Sequence, residues 1–266
     1  MSPLSISKSW EETTAFLARE SRLVAPIALA LVAIPATVQA WIDPAKEGGS
    51  SGFVGLILMI VSMAGQLAIA QLAIGWRGSI GEAIGKAFRR LWAVIGAGIA
   101  IYGPLVLLAV FMLGASLGMD GIARLETMSP EELVRVKGVA VTLLLVAVLG
   151  IFLSVRFLPM IGVAMGEDAG VSAIIRRSWA LTRGHFGKLF LVILLLGLAS
   201  ILLSTAIMTV VGTLVALAVG PLEPLSLSAL ITGLLNGLLA ALVSAVYSAL
   251  VGRIYVNLAD RGAPAA

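Results

Sequence analysis

Cysteine is absent from this sequence, and histidine occurs once, at position 185. Disulfides, thiolate nucleophiles and zinc–thiolate sites are therefore excluded. Charged residues make up only 12% of the 266 residues, whereas hydrophobic residues make up 60%, and the mean hydropathy is +1.08. This balance excludes an ordinary soluble globular protein.

Six long apolar stretches dominate the chain. Each can cross about 30 Å of hydrocarbon, which takes roughly 20 apolar residues, and none shows the alternation of membrane-barrel strands. We predict an all-α membrane protein with six transmembrane helices, forming a single integral membrane domain over residues 1–266. The predicted spans are about 23–40, 53–74, 92–117, 139–158, 189–219 and 227–251, preceded by a surface helix at about 5–22. The fifth span exceeds one crossing, so we expect a tilt, a break near Gly212 or an extension beyond the bilayer.

Basic residues are distributed unequally between the two sides that this topology defines. Fourteen of the 18 lie in the N-terminal arm, in the loops after the second and fourth spans and in the C-terminal tail, whereas the acidic residues divide seven and seven. The positive-inside rule therefore places both termini in the cytoplasm. A membrane surface accounts for the net charge of +4, and we expect no nucleic-acid partner.

Three short segments share a pattern of isoleucine, any residue, a base, a small residue and an aromatic residue. They begin at Ile6, Ile84 and Ile175, and each precedes an odd-numbered span. In the second and third copies a helix places apolar and basic residues on opposite faces, and Ser79 with Glu82 should form a capping box. We predict cytoplasmic interfacial amphipathic elbow helices and a threefold repeat of one elbow with one helix hairpin. Chance similarity between short segments is the alternative.

The bases of these elbows are candidate contacts for lipid head groups. A base near an anionic leaflet gains about 1 kcal/mol, so membrane lipids, especially anionic ones, are the predicted partners. The predicted contacts are Lys86, Arg89, Arg90, Arg176, Arg177, Arg183 and His185. A more specific phosphate site formed by the last four of these residues is the alternative.

Few polar residues interrupt the spans. Arg156 lies near the end of the fourth span, where its side chain can reach the interface. Gln66, Gln71 and Asn236 are uncharged, and we expect them to make intramembrane contacts between helices. Because the spans hold almost no charge, a proton- or ion-coupled pump is disfavoured.

No constellation of residues indicates catalysis. Glu167 and Asp168 are adjacent, so on a helix their side chains diverge instead of sharing a metal, and a helix cap is their expected role. His185 has no partner set that would make it a base. We therefore predict no catalytic, cofactor-binding or metal-binding residues and no enzymatic activity.

The segment GVSAIIRRSWALTRGHFGKLF, Gly170 to Phe190, resembles a signature of the bacterial YciC-like membrane proteins, Ala-x-x-x-Ser-Trp-x-Leu-Thr-x-Gly. It is also similar to the membrane domain fused to some glycerophosphoryl diester phosphodiesterases. The segment departs from the family in having Ala173 and Ile174 where Glu-Ala is common. The upstream part also fits the family, with Arg156, Pro159 and Glu167. The resemblance implies a six-span fold in the bacterial inner membrane and carries over no active site.

We therefore expect a non-enzymatic multipass inner-membrane protein that interacts with lipid or supports the envelope. One alternative is a transporter or flippase of a lipid-like, amphipathic substrate, with Gln66, Gln71 and Asn236 lining its path. The other alternative is an accessory membrane subunit of a lipid-metabolising enzyme. The ligand, the protein partner and the oligomeric state are not specified by the sequence.

Overall fold

A computed structural model describes residues 5–42, 52–76, 78–123, 128–129, 132 and 135–262. Every regular element in these ranges is a helix. Six of the helical segments are long and apolar enough to cross a membrane, so the prediction of a multipass helical membrane protein is confirmed at that level. Their bounds are Ser21–Ile42, Phe53–Ala73, Ile80–Gly118, Val139–Gly166, Phe186–Val219 and Leu227–Asp260.

The chain begins with a short helix and a bent first span. Helix α1 is Ile6–Arg19, and the Oγ of Ser5 caps it by accepting from the Lys8 N–H at 3.3 Å. The first span contains α2, Ser21–Ala28, and α3, Ile34–Ile42, joined by a π-helical turn at Leu29–Ala33. Proline within a span removes a backbone donor, and the span holds prolines on both sides of this wider turn, at positions 26 and 35.

The second span is α4, Phe53–Ala73, which ends where Gly75 adopts a φ of +109°. Helix α5 follows and runs from Ile80 to Ala123, with a break in helical geometry at Gly118. The expected capping box is confirmed: Glu82 Oε2 accepts from the Ser79 N–H at 3.1 Å, and Ser79 Oγ accepts from the Glu82 N–H at 3.3 Å. The second elbow is not a separate helix, because it continues directly into the third span.

Five further helices, α6 to α10, lie between Val139 and Gly262. The fourth span comprises α6, Val139–Arg156, and the short α7, Met160–Gly166. Pro159 separates these two helices, because a proline disfavours helical backbone at the residue before it. The third elbow is a separate helix, α8, Val171–Leu181. The fifth and sixth spans are α9, Phe186–Val219, and α10, Leu227–Gly262.

Helix α10 is the centre of the bundle and contacts α1, α3, α4 and α9. Small residues allow the closest approaches. A methyl group added at Gly233 would lie 3.0 Å from the Thr37 carbonyl oxygen, and one at Gly237 would overlap the Ala33 carbonyl. Gly237 in the LLNGLLAALVSA stretch therefore serves close helix packing. In GAGIAIYG, Gly96 lies against Val171, 3.1 Å from an added methyl group, whereas Gly98 faces open space.

The fifth span, α9, is one continuous helix of 34 residues that passes through Gly212 without a break. At 1.5 Å per residue it is about 51 Å long, which exceeds the hydrocarbon core of a bilayer. Only 6% of its most apolar window is buried, compared with 39% in each of the first two spans. It is therefore the most loosely packed of the six spans.

The segments predicted to share one side of the membrane meet at one end of the bundle. Helix α1, the start of α5, the α7–α8 segment and the last turns of α10 contact one another there. We call this region the basic end. At the opposite end the Trp41 indole donates to the Ser226 carbonyl at 3.1 Å.

Candidate functional site at the basic end of the bundle

A carboxylate between α7 and α8 is the centre of a polar network. Glu167 Oε1 accepts from the Arg177 Nε at 3.0 Å and from the Tyr255 hydroxyl at 3.1 Å. The network joins the third elbow to the last span. Tyr255 also packs on Gly162 and Gly166, where an added methyl group would overlap its side chain.

The prediction that Glu167 and Asp168 cap a helix was wrong. The residue before α8 is Gly170, and no side chain caps the helix. Asp168 instead pairs with the Arg90 guanidinium. Each carboxylate thus pairs with an arginine, Asp168 with Arg90 on α5 and Glu167 with Arg177 on α8. A charge-assisted bond to a guanidinium is stronger than a bond to a neutral backbone N–H.

Two of the predicted head-group bases on α5 bind the α7–α8 segment. Lys86 Nζ donates to the Met165 carbonyl at 2.7 Å and lies 5.3 Å from the centre of the Trp76 ring. Arg90 donates from Nη1 to the Ala169 carbonyl at 3.2 Å. Together with Arg177, these bases therefore make internal contacts that hold the basic end together.

The other predicted head-group contacts lie at the surface. Arg89, Arg176 and Arg183 are exposed, and no ion pair to another described residue is found for them. His185 is half-buried, with its Nδ1 3.1 Å from the Arg183 carbonyl oxygen. The seven bases therefore divide into internal cross-links and outward-facing side chains.

Arg156 lies in a cage of aromatic rings. Its guanidinium carbon is 4.7 Å from the Trp179 ring centre, 5.6 Å from that of Phe152 and 5.7 Å from that of Phe186. Its Nε and Nη1 are buried and have no hydrogen-bond partner in the described structure. Cation–π attraction holds the guanidinium in this cage, and it joins α6 to α8 and α9.

The intramembrane polar residues are only partly brought together. Gln66 and Asn236 line one cavity of about 340 Å³, together with Ser204, Ser244 and Tyr247. Gln71 does not line it; this side chain is buried, and its Oε1 has no partner among the described residues. The polar cavity shares Val243 and Tyr247 with an apolar groove of about 310 Å³ between α9 and α10.

The three elbow copies have matching patterns of exposure. Their aromatic residues, Trp10, Phe88 and Trp179, are 44%, 41% and 40% exposed. The small residue before each aromatic residue is fully buried. In the first and third copies the residue three positions after the aromatic residue is fully buried as well. The buried residues are Ser9, Thr13, Ala87, Ser178 and Thr182.

Two residues of the basic end were missed by the sequence analysis. Tyr255 lies beyond the predicted end of the last span at about 251, and its partner Glu167 is 88 residues away. The sequence analysis counted Arg253 only as a base of the C-terminal tail. Its place in an apolar segment, four residues before Asn257, was a signal that it has an internal role. Its guanidinium lies 5.4 Å from the Phe16 ring centre.

Comparisons of this chain with family models, with curated proteins and with solved structures find no match. The class of the protein therefore follows from the fold itself. Six apolar helices define a multipass membrane protein.

Proposed function

We propose that this chain is a non-enzymatic protein of the bacterial inner membrane, the location implied by its resemblance to YciC-like proteins, and that it binds anionic lipid at its basic end. The observation that carries the proposal is the exposure of Arg89, Arg176 and Arg183 on the same end of the bundle as the exposed elbow aromatics. Arginines that reach phosphates beside rings in the acyl boundary are typical of interfacial helices. Both termini are then cytoplasmic, because 14 of the 18 bases lie on their side.

The elbows further support a threefold repeat. Each copy belongs to a helix that contacts the second span of a hairpin: α1 contacts α10, α5 contacts α4, and α8 contacts α7. The contact between α1 and α10 brings the first elbow against the last span, near the two ends of the chain. Matching exposure of Trp10, Phe88 and Trp179 is the second support.

Lipid binding is tested by removing two outward-facing charges. Arg176→Gln with Arg183→Gln should weaken binding of phosphatidylglycerol roughly tenfold to thirtyfold, because each base contributes about 1 kcal/mol. The matched control is Arg135→Gln with Lys137→Gln, two exposed bases that the topology places on the other side. Native mass spectrometry of the detergent-purified protein measures lipid occupancy. Equal binding by both double variants would refute the proposal.

A transporter or flippase of an amphipathic substrate is the second candidate. It is favoured by one observation, the polar cavity with Gln66 and Asn236 next to the apolar groove along α9. A head group would occupy the polar cavity and an acyl chain the groove. Proteoliposomes should then translocate a fluorescent phospholipid faster than empty vesicles, and Asn236→Trp should remove the difference. No acceleration by the unaltered protein would eliminate this candidate.

A further inference from the structure

A cavity of about 450 Å³ lies at the basic end, and Arg89, Arg176 and Arg183 are not among its described lining residues. It is formed where the junction of α1 and α2, the end of α4 and the last turns of α10 meet. Binding pockets for small ligands begin at roughly 300 Å³, so the cavity is large enough for one. It is lined by Phe16, Arg19, Glu20, Leu23, Leu72, Gly75, Trp76, Gly78 and Arg253.

Close helix packing places Arg253 at this cavity. The neighbouring Gly252 lies against α4, where an added methyl group would be 3.0 Å from Ala73 Cβ and 3.1 Å from the Ala70 carbonyl oxygen. The left-handed backbone of Gly75 then ends α4 and turns the chain toward Trp76. Glycine tolerates that conformation at no steric cost.

Two residues of the lining each carry a hydrogen-bond donor that has no partner within the described structure. These are the Nε of Arg253 and the Nε1 of Trp76, and both atoms are buried. Arg253 makes no ion pair with a described residue, and its contact is with the face of Phe16. Because buried donors are nearly always hydrogen-bonded in proteins, two orphaned donors at one cavity indicate a missing acceptor.

The charges of the lining favour an anion. Arg19 and Glu20 pair with each other at 2.9 Å, so their charges offset. Among the described residues of the lining, Arg253 is then the uncompensated charge. Phe16, Leu23 and Leu72 supply the apolar part of the lining, and a charge beside apolar groups attracts an opposite charge more strongly than it does in bulk water.

We propose that this cavity binds a phosphate group, with Arg253 and Trp76 as its donors. The guanidinium fork matches phosphate oxygens in geometry as well as charge, and the indole adds a neutral donor. The phosphate belongs either to a membrane lipid or to a soluble compound. The site is distinct from the exposed elbow arginines, so it stands whether or not those arginines bind lipid.

The test uses the full chain in an uncharged maltoside detergent, titrated separately with dioctanoyl phosphatidate, inorganic phosphate and dioctanoylglycerol. Calorimetric titration measures the dissociation constants. The unaltered protein should bind phosphatidate and not dioctanoylglycerol. Arg253→Gln should weaken phosphatidate binding roughly tenfold or more, since a charge-assisted hydrogen bond is lost, and Trp76→Phe roughly threefold to tenfold.

Matched controls make the result specific. Trp92→Phe makes the same change at a tryptophan that is 68% exposed, and Arg135→Gln removes an equal charge on the other side; both should stay within about twofold of the unaltered protein. Arg176→Gln with Arg183→Gln should leave this site unchanged, which separates it from the proposed surface binding. If Arg253→Gln does not fold, Trp76→Phe carries the test, because it removes the indole donor and keeps an aromatic ring beside Lys86.

The two ligand arms identify the source of the phosphate. Binding of phosphatidate alone, sensitive to both substitutions, assigns a lipid. Equal binding of inorganic phosphate with the same sensitivity supports the site and assigns a soluble phosphate. Unchanged binding in both Arg253→Gln and Trp76→Phe would overturn the proposal, as would equal affinity for dioctanoylglycerol or no binding of either phosphate probe.

Discussion

The hydroxyl of Tyr255 donates to Glu167 Oε1 at 3.1 Å, across 88 positions of the chain. This bond joins the last span to the segment between α7 and α8. The same oxygen accepts from Arg177 at 3.0 Å, so a single carboxylate orients both partners. Tyr255 reaches it only because its side chain lies against Gly162 and Gly166.

Gly162→Ala should therefore destabilise the protein. The added methyl group would overlap Tyr255, and overpacking of a tight contact costs about 1–3 kcal/mol. The matched control is Gly197→Ala, on α9, where an added methyl group meets nothing within 4 Å. Thermal unfolding in detergent should show a lower midpoint for the first variant and an unchanged or slightly higher one for the second. Equal midpoints would contradict the contact.

The N-terminal helix is predicted to depend on one amide of the last span. Asn257 Nδ2 donates to Ser9 Oγ at 3.1 Å and to Glu12 Oε2 at 3.0 Å, and both Ser9 and Asn257 are buried. Asn257→Leu removes both bonds and should lower stability by about 1–3 kcal/mol. Limited proteolysis should also cut earlier within α1.

The exposed Ser7, which bonds to Glu11 at 3.1 Å, provides the control for that variant. Ser7→Ala removes a solvated hydrogen bond and should change stability by less than about 0.5 kcal/mol. If α1 is cleaved at the same rate in the Asn257→Leu and Ser7→Ala variants, the amide does not hold the helix in place.

The topology is predicted by the charge distribution and can be tested with single cysteines, because the chain has none of its own. Ser50→Cys and Ser226→Cys should react with an impermeant maleimide from the periplasm. Ala266→Cys should react only after the membrane is permeabilised. Ser50 and Ala266 lie outside the described residues, and Ser226 lies at the end opposite the basic end. Periplasmic labelling of Ala266→Cys would refute cytoplasmic termini.

The spans could be predicted from the sequence because the thickness of a bilayer sets the length of an apolar run. The predicted span of 53–74 differs from Phe53–Ala73 by one residue. The Ser79–Glu82 cap was equally accessible, since both partners lie within one turn. The boundary between the second elbow and the third span could not be predicted. The helix continues from Leu91 to Trp92, where the sequence has no residue that ends a helix.

Most contacts of the basic end could not be predicted, because they join residues far apart in the chain. The sequence identified Arg177 and Arg90 as bases, but an amphipathic pattern does not distinguish a base that meets lipid from one that meets Glu167 or Asp168. Arg156 illustrates the same limit. Its aromatic cage draws on Phe186, 30 positions away, and on Trp179.

The bond between Ser9 and Asn257 also sets an order of assembly during synthesis. The two residues are 248 positions apart, and at about 5–20 residues per second the ribosome needs roughly 12–50 s to make that length. For this interval the first helix exists without the helix on which it finally packs. Its apolar face must meanwhile rest on the bilayer surface or on a chaperone, so docking of the N-terminus is one of the last steps in the maturation of the protein.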